Sequence, residues 1–310
     1  MVMNYRIGSF NLHRFGDDPN KDLDKIAEII LGEDLDVVAF QEVFGRGVGT
    51  RRLLEEYVRH RFYKWDIRCS KENGDFSGSG EGYAYIWNTR KFKLPESGQA
   101  GDLRFEPKVI DDMPGSCGVF FRPPYYIRLL PCHGGFFELR LINIHIFHGD
   151  SKDKISAIER RQFEYKMLVQ KIYPQINQEP YGNFRSAYTI AMGDYNLSIF
   201  RPYIQNRSKA FLSEVYNYSE GRESYQVITM QEQLTTLCKP DKTGDQEQEP
   251  SPASNYANNY DHFTYSPETS PFTGVSCHAI DVVSKYCGGD FEYYQKNISD
   301  HIPVVIEIEI

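Results

Sequence analysis

The sequence predicts an α/β fold in which two mixed β-sheets pack together with helices on the outside, and three observations carry that prediction. Strand and helix patterns alternate at the start of the chain, hairpin patterns interrupt the alternation, and the two halves repeat this mixture loosely.

Taken in order, Tyr5 to Asn11 is β-rich and ends in the loop 13–20. Leu23, Ile26, Ala27, Ile29 and Ile30 then recur at helical spacing up to Gly32, and the apolar run Asp36 to Phe40 ends in Gln41-Glu42. That is strand, helix, strand. A second helix is predicted from Arg51 to His60, then strands from Tyr63 to Cys69 and from Tyr83 to Asn88. Between them Lys71 to Gly80, rich in glycine, serine and charge, reads as an exposed turn. Lys93 to Gly118 is irregular. Tyr125 to Leu130 and Phe136 to Ile144, joined by Pro131 to Gly135, read as an antiparallel pair. Ile155, Ile158, Tyr165, Leu168, Val169 and Ile172 mark a long amphipathic helix, and Tyr188 to Gly193 is the next buried strand. Pro240 to Asn259 is polar and reads as a mobile surface insertion. Beyond it come Tyr260 to Tyr265, the segment Ile280 to Tyr286 and a closing strand, Val304 to Ile310.

A chain of 310 residues can bury one large core, and nothing marks a seam, so residues 1–310 are read as a single domain carrying the insertion at 240–259. With 35 basic against 43 acidic side chains the formal charge is -8, which argues against gripping a polyanion by bulk electrostatics. Any nucleic-acid binding has to be local and metal-assisted. The six cysteines, at 69, 117, 132, 238, 277 and 287, form no CxxC and no Cys/His cluster, so they read as free buried thiols rather than a zinc site. No apolar run approaches the roughly 20 residues of a membrane span, and Met1 to Ile7 runs straight into a strand without the layout of a signal peptide. The expectation is a cytoplasmic protein with no membrane association and no obligate protein partner.

The polar residues that carry chemistry stand at the ends of these apolar runs: Asn11, Gln41-Glu42, Asn143-Ile144-His145, Gly193-Asp194-Tyr195-Asn196 and Ser299-Asp300-His301. Strand ends converge on one rim of a sheet, where α/β proteins place their sites. Glu42 at a strand tip could hold a hard cation, though Gln-Glu taken alone reads as an ordinary solvated acid. The Gly-Asp-x-Asn turn brings a carboxylate and an amide to one side, one to accept a proton or bind metal, the other to donate to a phosphate oxygen; Asx residues also build turns for local reasons. His145 and His301 can move protons near neutral pH if a carboxylate fixes the tautomer, and Asp300, Asp261 and Glu81 are the acids available by type.

Together, in this order, these segments with Phe10-Asn11 and Ile302-Pro303-Val304 resemble the endonuclease/exonuclease/phosphatase superfamily over residues 5 to 310. The resemblance implies a four-layer α/β sandwich and divalent-metal-dependent hydrolysis of a phosphoester. Glu81 in Gly80-Glu81-Gly82-Tyr83, Arg122 in Phe121-Arg122-Pro123-Pro124 and Tyr260-Asp261-His262 make the chain most similar to the deoxyribonuclease I branch. The likeness implies that His145, Asp194, His301, Glu81 and Asp261 are catalytic, with Glu81 orienting His301 and Asp261 orienting His145. It implies that Asn11, Asn196, Arg122 and Tyr260 contact substrate, and that Mg²⁺, with Mn²⁺ or Ca²⁺ as alternatives, is held mainly by Glu42 together with Asp300 and Asn11. Arg122 suits a phosphate contact through its bidentate fork, although a guanidinium before two prolines can also cap a strand.

Two positions depart from that branch. His13 stands where the pancreatic enzyme has an arginine, with Arg14 as a substitute, and Phe44 replaces an arginine that reaches into the minor groove, which weakens the case for cutting ordinary duplex DNA. The disulfides of secreted members have no matching cysteine pairs. The function implied is an endonuclease acting on DNA with little sequence preference. The alternatives are a phosphatase or phosphodiesterase for phosphoinositides, sphingomyelin, RNA or nucleotides, and a binding or effector module without turnover.

Overall fold

In a computed structural model, described for residues 3–16, 18–58, 64–70, 80–95, 106–110, 118–133, 136–149, 154–179, 186–199, 215–220, 223–238 and 255–310, the strands run β1 (Asn4–Phe15), β2 (Val37–Val43), β3 (Trp65–Cys69), β4 (Gly82–Asn88), β5 (Phe92–Lys93), β6 (Lys108–Val109), β7 (Tyr125–Pro131), β8 (Phe137–His145), β9 (Ser186–Asp194), β10 (Val215–Glu220), β11 (Glu223–Met230), β12 (Asp261–Tyr265), β13 (Gly274–Ala279) and β14 (Val304–Glu309). They form a six-stranded sheet in the order β13-β14-β1-β2-β4-β3 and an eight-stranded sheet in the order β10-β11-β12-β9-β8-β7-β5, with β6 added to β7.

The period-2 alternation of each central strand decides what lies on either side of it. In β1 and β2, Ile7, Val37 and Ala39 point between the sheets, where they meet Tyr85, Trp87, Ile127, Leu141, Ile190 and Met192 from both sheets. Their neighbours Phe10, Val38 and Phe40 point outward onto Ile26, Ile29 and Ile30 of the helix Leu23–Gly32, with Val282, Val283 and Tyr294 from the helices Val282–Cys287 and Phe291–Asn297. On the far side Ile142, Ile144 and Ala191 pack against Tyr165, Leu168, Val169, Ile172 and Ile176. Helix, sheet, sheet, helix is the four-layer sandwich expected of the chain. Burial of the inner strands on both faces is why they read as continuous apolar runs.

Pairing directions bring the chemistry to one rim. β1 runs parallel to β2 and β8 parallel to β9, so Asn11, Glu42, His145 and Asp194 all arrive at C-terminal ends. β4, β12 and β14 run antiparallel to those strands, so residues at or before their N-terminal ends, Glu81, Asp261 and His301, arrive at the same rim.

Several expectations shift. The second helix starts earlier than Arg51, at Val48, after Gly45 and Gly47 adopt left-handed φ values of 60° and 77° that let the chain turn out of β2. It continues in wider, π-wound turns from Leu53 to Val58, and residues 59–60 lie outside the described ones, as does the turn 71–79. The insertion read as mobile over 240–259 is pinned at its end: Leu237 pairs with Tyr256, and the backbones of Ala257 and Asn258 bond Thr236. Residues 240–254 lie outside the described ones. The segment Ile280 to Tyr286 contains the helix Val282–Cys287, capped by Asp281, whose side chain accepts from Ser284 N. Cysteines 69, 132, 238, 277 and 287 are free thiols, half-buried rather than fully buried. Among the described residues no helix is long and apolar enough to cross a membrane.

Candidate active site

Asp194, the last residue of β9, is the hub of the rim. Its Oδ2 lies 3.0 Å from Asn11 Nδ2, 3.5 Å from His145 Nε2 and 3.6 Å from His301 Nε2, while Oδ1 accepts the Asn196 N–H at 2.9 Å. The backbone makes this geometry possible. Gly193 has φ 145°, and a Cβ there would stand 1.9 Å from the Ile144 carbonyl oxygen, so only glycine lets β9 approach β8 closely enough to set His145 opposite Asp194. Asn196 and Glu42 take left-handed φ values of 49° and 56°, as do His13 and Arg14 at 41° and 55°, and strained non-glycine backbone concentrated at one rim points to function.

Each histidine is held from the other sheet. His145 Nδ1 lies 2.6 Å from Glu81 Oε1, and His301 Nδ1 lies 2.8 Å from Asp261 Oδ2. This reverses the expected assignment, in which Glu81 would orient His301 and Asp261 would orient His145. The reason is topological. Glu81 precedes β4 and reaches across the sandwich to the end of β8, whereas Asp261 sits beside Asp194 in the β12–β9 register and faces the approach to β14. Burial and the nearby Arg122 push the His145 imidazolium towards losing its proton, but Glu81 and Asp194 outweigh them and its pKa rises. Burial works the same way on His301, and Asp261, Asp194 and Asp300 raise its pKa well above the ordinary value. Burial raises the Asp194 carboxyl, with both histidines pulling it back down.

Glu42 lies among donors. Oε1 accepts from Asn11 Nδ2 at 3.1 Å and Oε2 from the Arg14 N–H at 3.0 Å. Burial would raise its pKa, but His145, His13 and these hydrogen bonds win and bring it to about 2. The carboxylate is therefore ionised and presents oxygen to the rim, which suits Mg²⁺, an ion bound through one or two carboxylates with water and substrate phosphate completing its shell. The other two predicted ligands are placed differently. Asn11 Oδ1 accepts the His13 N–H at 2.9 Å while Nδ2 donates to Glu42 and Asp194, so its amide orients both carboxylates. Asp300 lies 3.1 Å from His13 Nδ1, because His301 turns inward and its neighbour in the extended chain must turn outward. Among the described residues no three His, Cys, Asp or Glu side chains converge on a cation position.

Arg122 Nε is 2.6 Å from Glu81 Oε2, so the guanidinium, Glu81 and His145 form one chain, and Arg122 Nη1 is buried without a hydrogen-bond partner among the described residues. Asn196 sends Nδ2 to the Ile146 carbonyl at 2.8 Å, and its own carbonyl receives Arg161 Nη1. Tyr260 is half-buried at the rim, its backbone carbonyl accepting the Tyr195 N–H at 2.8 Å.

Sequence reasoning missed the supports. Tyr83 donates its hydroxyl to the Arg122 carbonyl and receives the His145 N–H, and Tyr294 donates to the His301 carbonyl. Gln41 and Asn143 stand in the sequence motifs with no role assigned to them. Both are fully buried, and Gln41 Nε2 donates to Asn143 Oδ1 at 2.7 Å, fastening β2 of one sheet to β8 of the other directly beneath Glu42 and His145. The available signal was an amide inside an apolar run, a group that must find a buried partner.

Three comparisons bear on this arrangement. The model of the Endonuclease/Exonuclease/phosphatase family matches residues 8–301. No curated protein matches in sequence. Among solved structures, TDP2 from C. elegans is similar with a TM-score of 0.56 and 14% identity, over 99% of this chain and 75% of that one. D. rerio TDP2 complexed with single strand DNA product gives 0.53 and 15%, over 98% of both chains. ANGEL2, described as a 2',3'-cyclic phosphatase in complex with adenosine-2',3'-vanadate, gives 0.56 and 14%, over 100% of this chain and 96% of that one. At these identities the structural likeness establishes the fold.

Proposed function

Because the chain belongs to the endonuclease/exonuclease/phosphatase family, whose members are hydrolases acting on phosphoester bonds, we propose that it is a Mg²⁺-dependent phosphodiesterase that cuts DNA as an endonuclease with little sequence preference. The observation that carries this reading is Asp194 Oδ2 standing within 3.6 Å of both imidazoles, each backed by its own carboxylate.

A phosphodiester resists attack because its anionic oxygens repel the nucleophile, so a site has to neutralise charge, align a water and protonate the leaving alkoxide. Glu42 would hold Mg²⁺, which when bound neutralises phosphate charge and makes coordinated water more acidic. The chain's own residues divide the rest. Asp194, kept basic by burial and oriented by Asn11 and Asn196, accepts a proton from water. The two histidines, each with Nε2 towards Asp194, supply and relay protons at the phosphate, and their raised pKa values keep an imidazolium available near neutral pH. Arg122 Nη1, a buried donor with no acceptor among the described residues, is matched by a phosphate oxygen.

The direct test is conversion of supercoiled plasmid to nicked circle with Mg²⁺. Chelator and Asp194→Ala should each abolish it, and full activity in the variant overturns the site. A second reading, a phosphatase or phosphodiesterase for RNA, nucleotides, phosphoinositides or sphingomyelin, is favoured by the charge of -8 and by Phe44 at the rim. Parallel assays on plasmid, single-stranded RNA and inositol phosphates decide between them.

A further inference from the structure

Two phenylalanines flank the catalytic chain and belong to none of the three apolar cores. Phe121 precedes Arg122, Phe147 follows His145 by two residues, and their rings meet with centroids 4.3 Å apart and planes inclined at 36°. Both side chains are only half-buried. The Arg122 guanidinium carbon lies 5.4 Å from the Phe121 ring centre, and the same guanidinium touches Glu81, the partner of His145.

A buried carboxyl group fixes the pair. Glu164, fully buried on the helix Lys154–Met167, accepts the Phe121 N–H on Oε1 at 3.1 Å and the Phe147 N–H on Oε2 at 3.3 Å. Arg160 adds Nε to Oε1 at 3.2 Å and donates through Nη2 to the Val119 carbonyl. Burying a carboxylate is costly unless its oxygens are satisfied. Here they are satisfied by the backbones of two loops, which are thereby held at a fixed separation beside the site.

We infer that Phe121 and Phe147 form a stacking platform for an unpaired nucleobase adjoining the scissile phosphate, so that a single-stranded nucleic acid is preferred over a duplex as substrate. The inference rests on the phosphodiesterase reading above and specifies its substrate. A chain of charge -8 gains little from counterion release, and stacking on an aromatic side chain supplies sequence-tolerant affinity of its own. The base is covalently tied to the phosphate that Arg122 and the histidines would engage, so a platform one residue from Arg122 and two from His145 lies along the same strand. In an intact duplex both faces of the base are already stacked, and an inositol phosphate has no π face to offer.

The test compares kcat/KM on a short single-stranded oligonucleotide, the same oligomer made with abasic residues, and the matching duplex, all with Mg²⁺. The wild-type protein should prefer the base-bearing strand to the abasic one by about 5- to 150-fold, the value of one stacked base, and prefer it to the duplex. In Phe147→Ala and in the milder, still apolar Phe121→Leu that ratio should collapse towards one. A wild-type ratio near one, equal cutting of duplex and single strand, or a ratio that survives both substitutions overturns the platform. The abasic comparison uses the unaltered protein, so folding of a variant cannot confound it. If wild type cleaves none of the three substrates, the phosphodiesterase reading fails first.

Discussion

The pairing of Asp261 with His301 makes Asp261→Asn an informative substitution. The amide has the carboxylate's shape but no charge, so it removes the nearest of the three anions that keep His301 protonated, leaving Asp194 at 3.6 Å and Asp300 beside it. If the new amide oxygen faces Nδ1, the tautomer survives and only the charge is lost. If the amide hydrogens face it, the ring is held in the wrong tautomer. The expected fall in kcat is therefore on the order of 10²- to 10⁴-fold, the lower figure for the first orientation and the upper for the second. The sign of the pH effect follows from the raised pKa: imidazolium chemistry at His301 persists above the ordinary range and is lost as pH rises through the folded value, so Asp261→Asn should move the alkaline limb of the rate profile to lower pH. The assay is a pH-rate profile with the histidine ring protons followed by NMR. A variant in which the His145 resonance moves while that of His301 stays would refute the pairing.

Glu42→Gln should abolish Mg²⁺ binding by calorimetry. Because the Glu42 pKa is depressed to about 2, its stabilising contribution is present above the ordinary carboxylate range and lost as pH falls through about 2. Urea unfolding of the metal-free protein should show the variant destabilised by about 1 to 3 kcal/mol at pH 7, with the gap closing towards pH 2. Gly193→Ala meets backbone at 1.9 Å and needs a left-handed-side φ of 145°, so thermal unfolding should show a loss of about 3 kcal/mol or more; a wild-type melting temperature would contradict the close approach. Asn143→Leu removes one of the two acceptors of the buried Gln41 amide, leaving Ser9 Oγ, and a side-chain donor to the Phe40 carbonyl, at about 1 to 3 kcal/mol each. It should also lower kcat more than it raises KM, since it frees Glu42 from His145.

The layers were legible because strands buried on both faces announce themselves: Val37 to Phe40 is an unbroken apolar run, Ile142 to Ile144 is interrupted only by Asn143, and the acid or imidazole just beyond each, Glu42 and His145, is the one that reaches the rim. The same logic located Asp194 and His301. It could not decide which acid serves which histidine, since Glu81 and His145 are 64 positions apart and meet only after two sheets stack. Nor could it foresee Asp300 turning to His13, which depends on a side-chain direction set by its inward-facing neighbour. Glu164 was readable in part, lying four residues before Leu168 on the helix stripe that faces the sheet, but an acid on an apolar stripe shows its purpose only when the loops it binds are in place.

Because the Glu81–His145 and Asp261–His301 pairs each draw one member from each sheet, the spacing that chemistry requires is a property of the interleaved aromatic and aliphatic filling between them. Tyr85, Trp87, Tyr125 and Leu141 act as the spacer of a two-jawed tool. Trimming any of them changes the bite before it unravels the jaws, so turnover should be a more sensitive gauge of that interior than cooperative unfolding.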